Sequence, residues 1–416
     1  MLNQLIRRLC PVCAAGHPVW LCGFRPFFVL TAVAAPLLIS LWIAFLALGL
    51  PLPAVVGGPF IWHAHELIFG FGLAAVAGFA LTSIPEFTAS SAVDRPSVRL
   101  LAGLWLLGRL AFWTSGLFGN IALVVSGLAH LALLGVLAAR LAPRLWRDPN
   151  RRHLSFLWAF GGLALGVAGF YFAALRDQPP GPWLHATLGV LMMLIVVAMS
   201  RISMRIVNNA IDETTSDGET ATVDYRARPP RRNLAIFCIG IYTLAELLLP
   251  GSRISGWLAL AAAAALLNLL NDWHVGRALL RRWPLMLYGV YGLMAAGYAT
   301  MGLALILDST GFSAGRHLLT VGALGLNIYV VMCIAGRTHC GYALDERRWV
   351  PLGALMLVLA ALIRAASAWA ENPGHLLGIS GLLWVGAFLL YAWYMLPILL
   401  APRPDHGLGC EGVMKS

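Results

Sequence analysis

Apolar residues along the chain form long runs that are separated by short polar breaks. Each run is roughly 18 to 25 residues long, which is enough for a helix to cross a bilayer. The pattern predicts an all-α, polytopic membrane bundle of about twelve transmembrane helices. The predicted helices lie near residues 27–50, 62–84, 99–117, 120–141, 154–175, 183–206, 233–250, 254–272, 285–307, 315–335, 349–370 and 375–400.

Two breaks organise the pattern. The residues Gly119 and Asn120 predict a tight turn between the third and fourth helices, and a polar stretch at 207–232 predicts a cytoplasmic linker between two six-helix halves. No sequence repeat relates the halves. The predicted units are a cytoplasmic N-terminal segment, the first half, the linker, the second half and a cytoplasmic tail, at residues 1–26, 27–206, 207–232, 233–400 and 401–416.

The composition agrees with lipid as the solvent. The chain is 60% hydrophobic and only 11% charged, with a mean hydropathy of +0.79. A soluble domain carries about 25% charged residues, so an ordinary soluble core is excluded. The net charge of +11 does not indicate a nucleic-acid partner, because the basic residues lie between apolar runs, as in the cytoplasmic loops of membrane proteins.

The basic residues also predict the orientation. With the N-terminus inside, only Arg176, Arg253 and Arg316 fall in outer loops, and Arg109 and Arg364 fall within spans, so that 24 of the 29 Lys and Arg residues lie on the inner side. This bias predicts cytoplasmic termini and a multi-pass protein of the bacterial inner membrane. The cysteines of the inner side are then poor disulfide candidates, because cytoplasmic thiols stay reduced.

Histidines gather at one predicted depth. His63 and His65 open the second helix, His185 the sixth, His317 the tenth and His375 the twelfth, all at the outer face. Imidazoles from facing helices at one depth are typical of a bound haem, and copper also accepts imidazole nitrogen. The competing interpretation is that amphipathic histidines simply collect at an interface, which applies most strongly to His375.

Helix geometry separates the two neighbours. On an ideal helix His63 and His65 point about 200° apart, so one metal ion does not take both unless the first turn is distorted. His63 and Glu66 share a face. We expect His65 to point into the bundle and His63 toward another helix or the aqueous rim.

Other ionisable residues fall inside predicted spans, where each needs a partner. His130 is interpreted as a buried neutral histidine that bonds to a neighbour. Arg109 and Arg364 could pair with Glu66 or Glu246, or could hold haem propionates, and the sequence does not choose between these. Near the N-terminus, Cys10 and Cys13 have metal-ligand chemistry but lack a complete ligand set.

Several sequence blocks carry a resemblance. They read Gly-Phe-Arg-Pro-Phe-Phe at 23–28, Trp-His-Ala-His-Glu at 62–66, Leu-Gly-Arg at 107–109, His-Leu-Leu-Thr-Val-Gly-Ala at 317–323, Gly-Arg-Thr-His at 336–339 and Arg-Pro-Asp at 403–405. These blocks, and their order along the chain, resemble those of the NnrS family of haem- and copper-containing bacterial membrane proteins. The Trp-His-Ala-His-Glu and His-Leu-Leu-Thr-Val-Gly-Ala blocks are its specific part.

The resemblance implies twelve spans, a b-type haem and copper. It also implies a role in the response to nitric oxide and nitrosative stress, associated with denitrification. The partners expected from it are the lipid bilayer and a small gas such as nitric oxide, with an unknown electron donor. The candidate cofactor-binding residues are His63, His65, His317 and Arg109, and the candidate metal ligands are His63, His65, His185, His317 and His339.

The chain departs from the family pattern at residues 200–208, where only Arg201 matches, and at Tyr288, where relatives often carry histidine. Both departures indicate a divergent member, and whether they remove a cofactor ligand is open at this point. A different class of function also stays open, namely a secondary transporter of a small anion or metal species, motivated by Arg109, Arg364, Glu66 and Glu246. Phosphate-loop, nucleophile-elbow and zincin motifs are absent, and whether the protein catalyses, senses or transports is open at this point.

Overall fold

The computed structural model describes residues 16–149, 153–216, 224–407 and 410. In these residues the regular structure is helical and no β-strand occurs. Twelve long helices, labelled α1 to α12 in chain order, span Phe24–Leu48, Gly58–Phe87, Arg95–Trp113, Ser115–Arg147, Ser155–Leu175, Gly181–Ser216, Pro229–Leu248, Arg253–Leu270, Arg282–Ile306, Phe312–Thr338, Trp349–Ala366 and Gly374–Leu400.

Ten of these helices are long and apolar enough to cross a membrane. The other two, α3 and α7, each contain three charged residues. The all-helical fold and the multi-pass membrane class are therefore confirmed. The cytoplasmic placement of the termini stays a prediction.

Most helix bounds agree with the apolar runs, and α6 differs most. It continues ten residues beyond the predicted end at 206 and into the proposed linker. The extension keeps an apolar face, because Ile206, Val207, Ala210 and Ile211 are all buried. Gly119 lies within the range given for α4, and the helix is interrupted there because its backbone adopts a φ of 55°, which favours glycine. This break is the turn predicted beside Asn120.

Successive helices run antiparallel, so all even-numbered helices begin at one end of the bundle. We call the end at which the even-numbered helices begin the His63 end, and the opposite end of the bundle the His339 end. Helices α12 and α1 pack together and close the ring. The inner helices are α2, α6 and α10, in which 89%, 67% and 78% of the apolar window is buried, against 56% or less in the other spans. Inner helices thus recur every fourth helix, a periodicity that the proposed division into two halves does not include.

Two inner helices contain a π-helical turn, at Glu66–Gly72 in α2 and at Leu318–Leu324 in α10. Each turn begins directly after a histidine, His65 or His317. A π turn adds one residue to the helix and so rotates the following side chains by about 100°. Such turns are frequent at functional sites, and here they mark the level at which the two helices carry their histidines.

At the His339 end the chain after α12 folds back against the bundle. The guanidinium of Arg25 donates to the carbonyl oxygen of Ala401 at 2.6 Å, and Nδ1 of His339 donates to that of Cys410 at 2.7 Å. Cys22 and Cys410 form a disulfide, with their Cα atoms 5.3 Å apart. The expectation that the inner-side cysteines stay unpaired is therefore wrong for this pair, because docking of the tail brings together residues that are distant in sequence.

Candidate functional site

A large cavity opens at the His63 end of the bundle. It has a volume of about 690 Å³ and lies between the end of α1, the beginnings of α2, α10 and α12, and the end of α11. Most of its wall is apolar, with Phe71, Leu324 and Trp384 among the lining residues. Its polar side chains include His63, His317, Arg364 and His375. The size and the few convergent polar groups are those of a cofactor or ligand pocket.

His63 and His317 face this cavity from the two inner helices α2 and α10. Nδ1 of His317 lies 2.7 Å from the carbonyl oxygen of Ser313. Because a carbonyl only accepts, this nitrogen carries the proton, and Nε2 retains its lone pair. The ring of His63 stacks on Trp42, with 4.2 Å between centroids, and among the described residues no hydrogen bond occupies its nitrogens.

Arg364 supplies positive charge to the wall of the same cavity. Its Nη1 donates to Oγ of Ser367 at 3.0 Å, which fixes one side of the guanidinium. His375 also lines the cavity, but its side chain is exposed at the rim. The cavity therefore combines two half-buried imidazoles with one half-buried cation, a set that suits a flat ligand carrying carboxylates.

His65 points to the opposite side of α2 and does not line the cavity. Its Nε2 lies 2.8 Å from the hydroxyl of Tyr171, and its Nδ1 lies 3.0 Å from Oε1 of Glu66. The ring also stacks on Phe112 at 3.5 Å. Both nitrogens are thus engaged by protein groups, and the separation of His63 from His65 follows the angle that helix geometry predicts. The expectation that Glu66 shares a face with His63 is wrong, because Glu66 begins the π turn and its carboxylate lies against His65 and Arg109.

His130 and Arg109 belong to this second, sealed network. The hydroxyl of Tyr171 lies 3.0 Å from Nδ1 of His130, and the guanidinium of Arg109 contacts the other ring nitrogen of His130. Oγ of Ser126 lies 2.6 Å from the same tyrosine hydroxyl. His130 is therefore a buried histidine bonded to its neighbours, as interpreted from sequence.

Arg109 finds its carboxylate on α2. Its Nη1 lies 3.5 Å from Oε1 of Glu66, and both side chains are buried. Gly70 in the π turn makes the approach possible, because a Cβ there would lie 2.7 Å from Nη1 of Arg109. Of the two partners considered from sequence, Glu66 is the one that the fold provides, and Arg109 does not reach the cavity.

His185 and Glu246 lie at the His63 end but outside the cavity. The guanidinium of Arg316 contacts the ring of His185 and lies over the ring of Phe312. A cation that faces the imidazole opposes the binding of a metal ion there. The carboxylate of Glu246 accepts from the backbone N–H of Gly251, and among the described residues it forms no ion pair with Arg364.

His339 lies at the other end of the molecule. Its Nε2 is 3.4 Å from Oε2 of Glu86, and its Nδ1 is bonded to the tail. It cannot share a ligand with His63 or His317 across the bundle. Cys10 and Cys13 lie outside the described residues, as do the remaining residues of the N-terminal segment up to residue 15.

Sequence reasoning missed several residues that shape these sites. Trp42 stacks on His63, Tyr171 joins His65 to His130, and Arg316 covers His185. Arg316 could have been found from the sequence, because it directly precedes the His-Leu-Leu-Thr-Val-Gly-Ala block that begins at His317. The hydroxyl of Tyr171 within an apolar run was a weaker indication of a functional residue. Nothing in the sequence pointed to Trp42, because a tryptophan near a helix end is ordinary in membrane proteins.

The fold and the site together define a polytopic α-helical membrane protein with a histidine-lined cavity at one end. The family model for the NnrS protein matches residues 18–403, nearly the whole chain. The chain therefore belongs to the NnrS family, as its sequence blocks indicate. Among curated proteins none matches the chain.

Proposed function

We propose that the protein binds a b-type haem in the cavity at the His63 end and takes part in the bacterial response to nitric oxide and nitrosative stress, associated with denitrification. The supporting observation is that His63 and His317 line one cavity from facing inner helices, each with nitrogen available to a ligand. Membership of the NnrS family supports the nitric oxide response. The inner membrane is the proposed location.

The residues present fit a haem. A volume of about 690 Å³ lies within the range of cofactor pockets. His63 and His317 would hold the haem, and the bond from His317 to the carbonyl of Ser313 fixes the tautomer that ligation needs. Arg364 would hold a propionate. When bound, haem would supply an iron centre with which nitric oxide can interact.

The residues that the structure describes do not offer a complete set of protein ligands for a copper ion. Within the described part of the chain, no group of three or more His, Cys, Asp or Glu side chains is arranged to hold a metal ion. Of the predicted ligands, His65 has both nitrogens engaged and His185 faces a guanidinium. We assign no step to copper.

The test is spectroscopic. Protein purified from haem-replete cells is expected to show a Soret band, a pyridine haemochrome of the b type and a spectral change when nitric oxide is added anaerobically. A strain that lacks the gene is expected to grow poorly with a nitric oxide donor, and the wild-type gene should restore growth where a His63→Ala gene does not. Protein without Soret absorption would overturn the haem proposal, and a deletion strain indifferent to nitric oxide would overturn the response.

A further inference from the structure

A small second crevice lies where the three inner helices meet. Its volume is about 40 Å³, and its wall includes Phe28 of α1, Ala75 of α2, Ala198 of α6 and Asn327 of α10. Thirteen residues line it, and all except Asn327 are apolar. One water-sized sphere needs about 10–15 Å³, so the crevice has room for a diatomic molecule or a xenon atom.

Asn327 is the unusual member of this wall. Its side chain is only 8% exposed, so it is more than nine-tenths buried. Its Oδ1 has no hydrogen-bond partner in the described residues. A buried water normally needs two to four polar partners, and this crevice offers a single amide. The chemistry of the wall therefore favours an apolar guest over an ordered water.

The crevice adjoins the large cavity. Leu324, in the π turn of α10, lines both. Asn327 follows His317 by ten residues, which places it roughly 15 Å deeper along the helix. A molecule in the crevice is therefore inside the bundle, behind the wall of the cavity in which His317 lies.

We propose that this crevice is a docking site for a small apolar gas molecule, such as nitric oxide or dioxygen, on its way to or from the cavity. The functional meaning of the site rests on the proposed function, whereas gas binding itself depends only on the shape and polarity of the crevice. Leu324 separates the two spaces and acts as the gate between them.

Xenon is the probe that tests the site. In crystals or frozen grids of the full-length protein under xenon pressure, xenon is expected beside Asn327. Ala198→Leu and Ala75→Leu fill the crevice and should abolish that density, whichever of them folds. Ala264→Leu adds the same bulk at an exposed position of α8 and should preserve it. No xenon in the wild-type crevice, or an ordered water on Asn327 that persists under xenon, would overturn the proposal.

The two proposals fail separately. Xenon binding without haem would uphold the docking site and reject the haem. Haem binding with an empty crevice would uphold the haem proposal and reject the docking site. In haem-loaded protein, Ala198→Leu should also reduce the fraction of photolysed carbon monoxide that rebinds from within the protein, and an unchanged fraction would contradict the path through Leu324.

Discussion

Nη1 of Arg109 lies 3.5 Å from Oε1 of Glu66, and both side chains are buried on the side of α2 away from the cavity. These two residues were among those that motivated a transporter. A charged residue that handles a transported ion must be reachable from a cavity, whereas neither residue of this pair lines the large cavity, and the ring of Trp105 lies beside the guanidinium of Arg109. The pair is better understood as part of what holds α2 against α3 and α4.

The first prediction concerns this pair. Glu66→Ala leaves the Arg109 guanidinium buried without its carboxylate, which should lower the free energy of unfolding by about 3–5 kcal/mol. The double variant Glu66→Met with Arg109→Met removes both charges and should recover much of the loss. Unfolding in mixed micelles with an increasing fraction of denaturing detergent measures the free energy of unfolding of each variant. A loss in the double variant equal to the sum of the losses in Glu66→Met alone and Arg109→Met alone would show that the charges do not interact.

The second prediction concerns Arg364. Arg364→Met removes the cation from the cavity wall and should weaken the binding of haem to the apo-protein about tenfold, the effect of losing one charge-assisted hydrogen bond. Titration of haem into the apo-protein measures the dissociation constant. Arg253→Met removes an exposed arginine at the same end of the bundle and should have no effect. If both variants bind haem equally well, Arg364 does not hold a propionate.

The third prediction concerns Asp345, in the connection between α10 and α11. Burial alone would raise the pKa of this carboxyl, but hydrogen bonds from Arg347 and Trp349 and the nearby Arg337 outweigh it and hold the pKa well below its ordinary value. A carboxyl with a lowered folded-state pKa stabilises the fold above its unfolded pKa, which is about 3.9. That contribution is lost as the pH falls through the folded-state pKa.

Asp345→Asn should therefore lower the melting temperature by several degrees at pH 7, where the full contribution is present. The gap between the two proteins should begin to close only below about pH 4. Thermal unfolding measured from pH 7 down to the lowest tolerated pH gives the curve. A gap that does not change over this range would contradict the assignment.

The fourth prediction concerns orientation. The distribution of arginines predicts that the C-terminus is cytoplasmic and that the connection between α5 and α6 is periplasmic. Green fluorescent protein fused after Ser416 should fluoresce, and alkaline phosphatase fused after Gln178 should be active. The reciprocal fusions serve as controls. Active phosphatase at Ser416 would reverse the topology and place the histidine cavity on the cytoplasmic side.

The sequence alone predicts much of the fold because lipid imposes a strong length and polarity rule on each helix. The turn at Gly119 and the opposed directions of His63 and His65 follow from local geometry alone. The extension of α6 beyond residue 206 was not predicted. A helix that leaves the bilayer can continue with only one apolar face, so the length of the apolar run no longer marks where the helix ends.

The composition of the site was harder to predict, because it depends on which helices become neighbours. Placement of α6 beside α10 puts Arg316 against His185, and folding of the tail against the bundle puts His339 beside Cys410. Neither contact leaves a periodic signal in the chain. The π turns after His65 and His317 also leave no signal in the sequence, because the apolar residues and glycines that form them are common in ordinary membrane helices.

The most direct test of the account uses four alanine variants. His63→Ala and His317→Ala are expected to lose the Soret band, or to shift it to that of a haem with one axial imidazole. His185→Ala and His375→Ala, at the same end of the bundle, are expected to keep the wild-type spectrum. A Soret band that persists unchanged in both of the first two variants, or that disappears in all four alike, would contradict a haem held between α2 and α10.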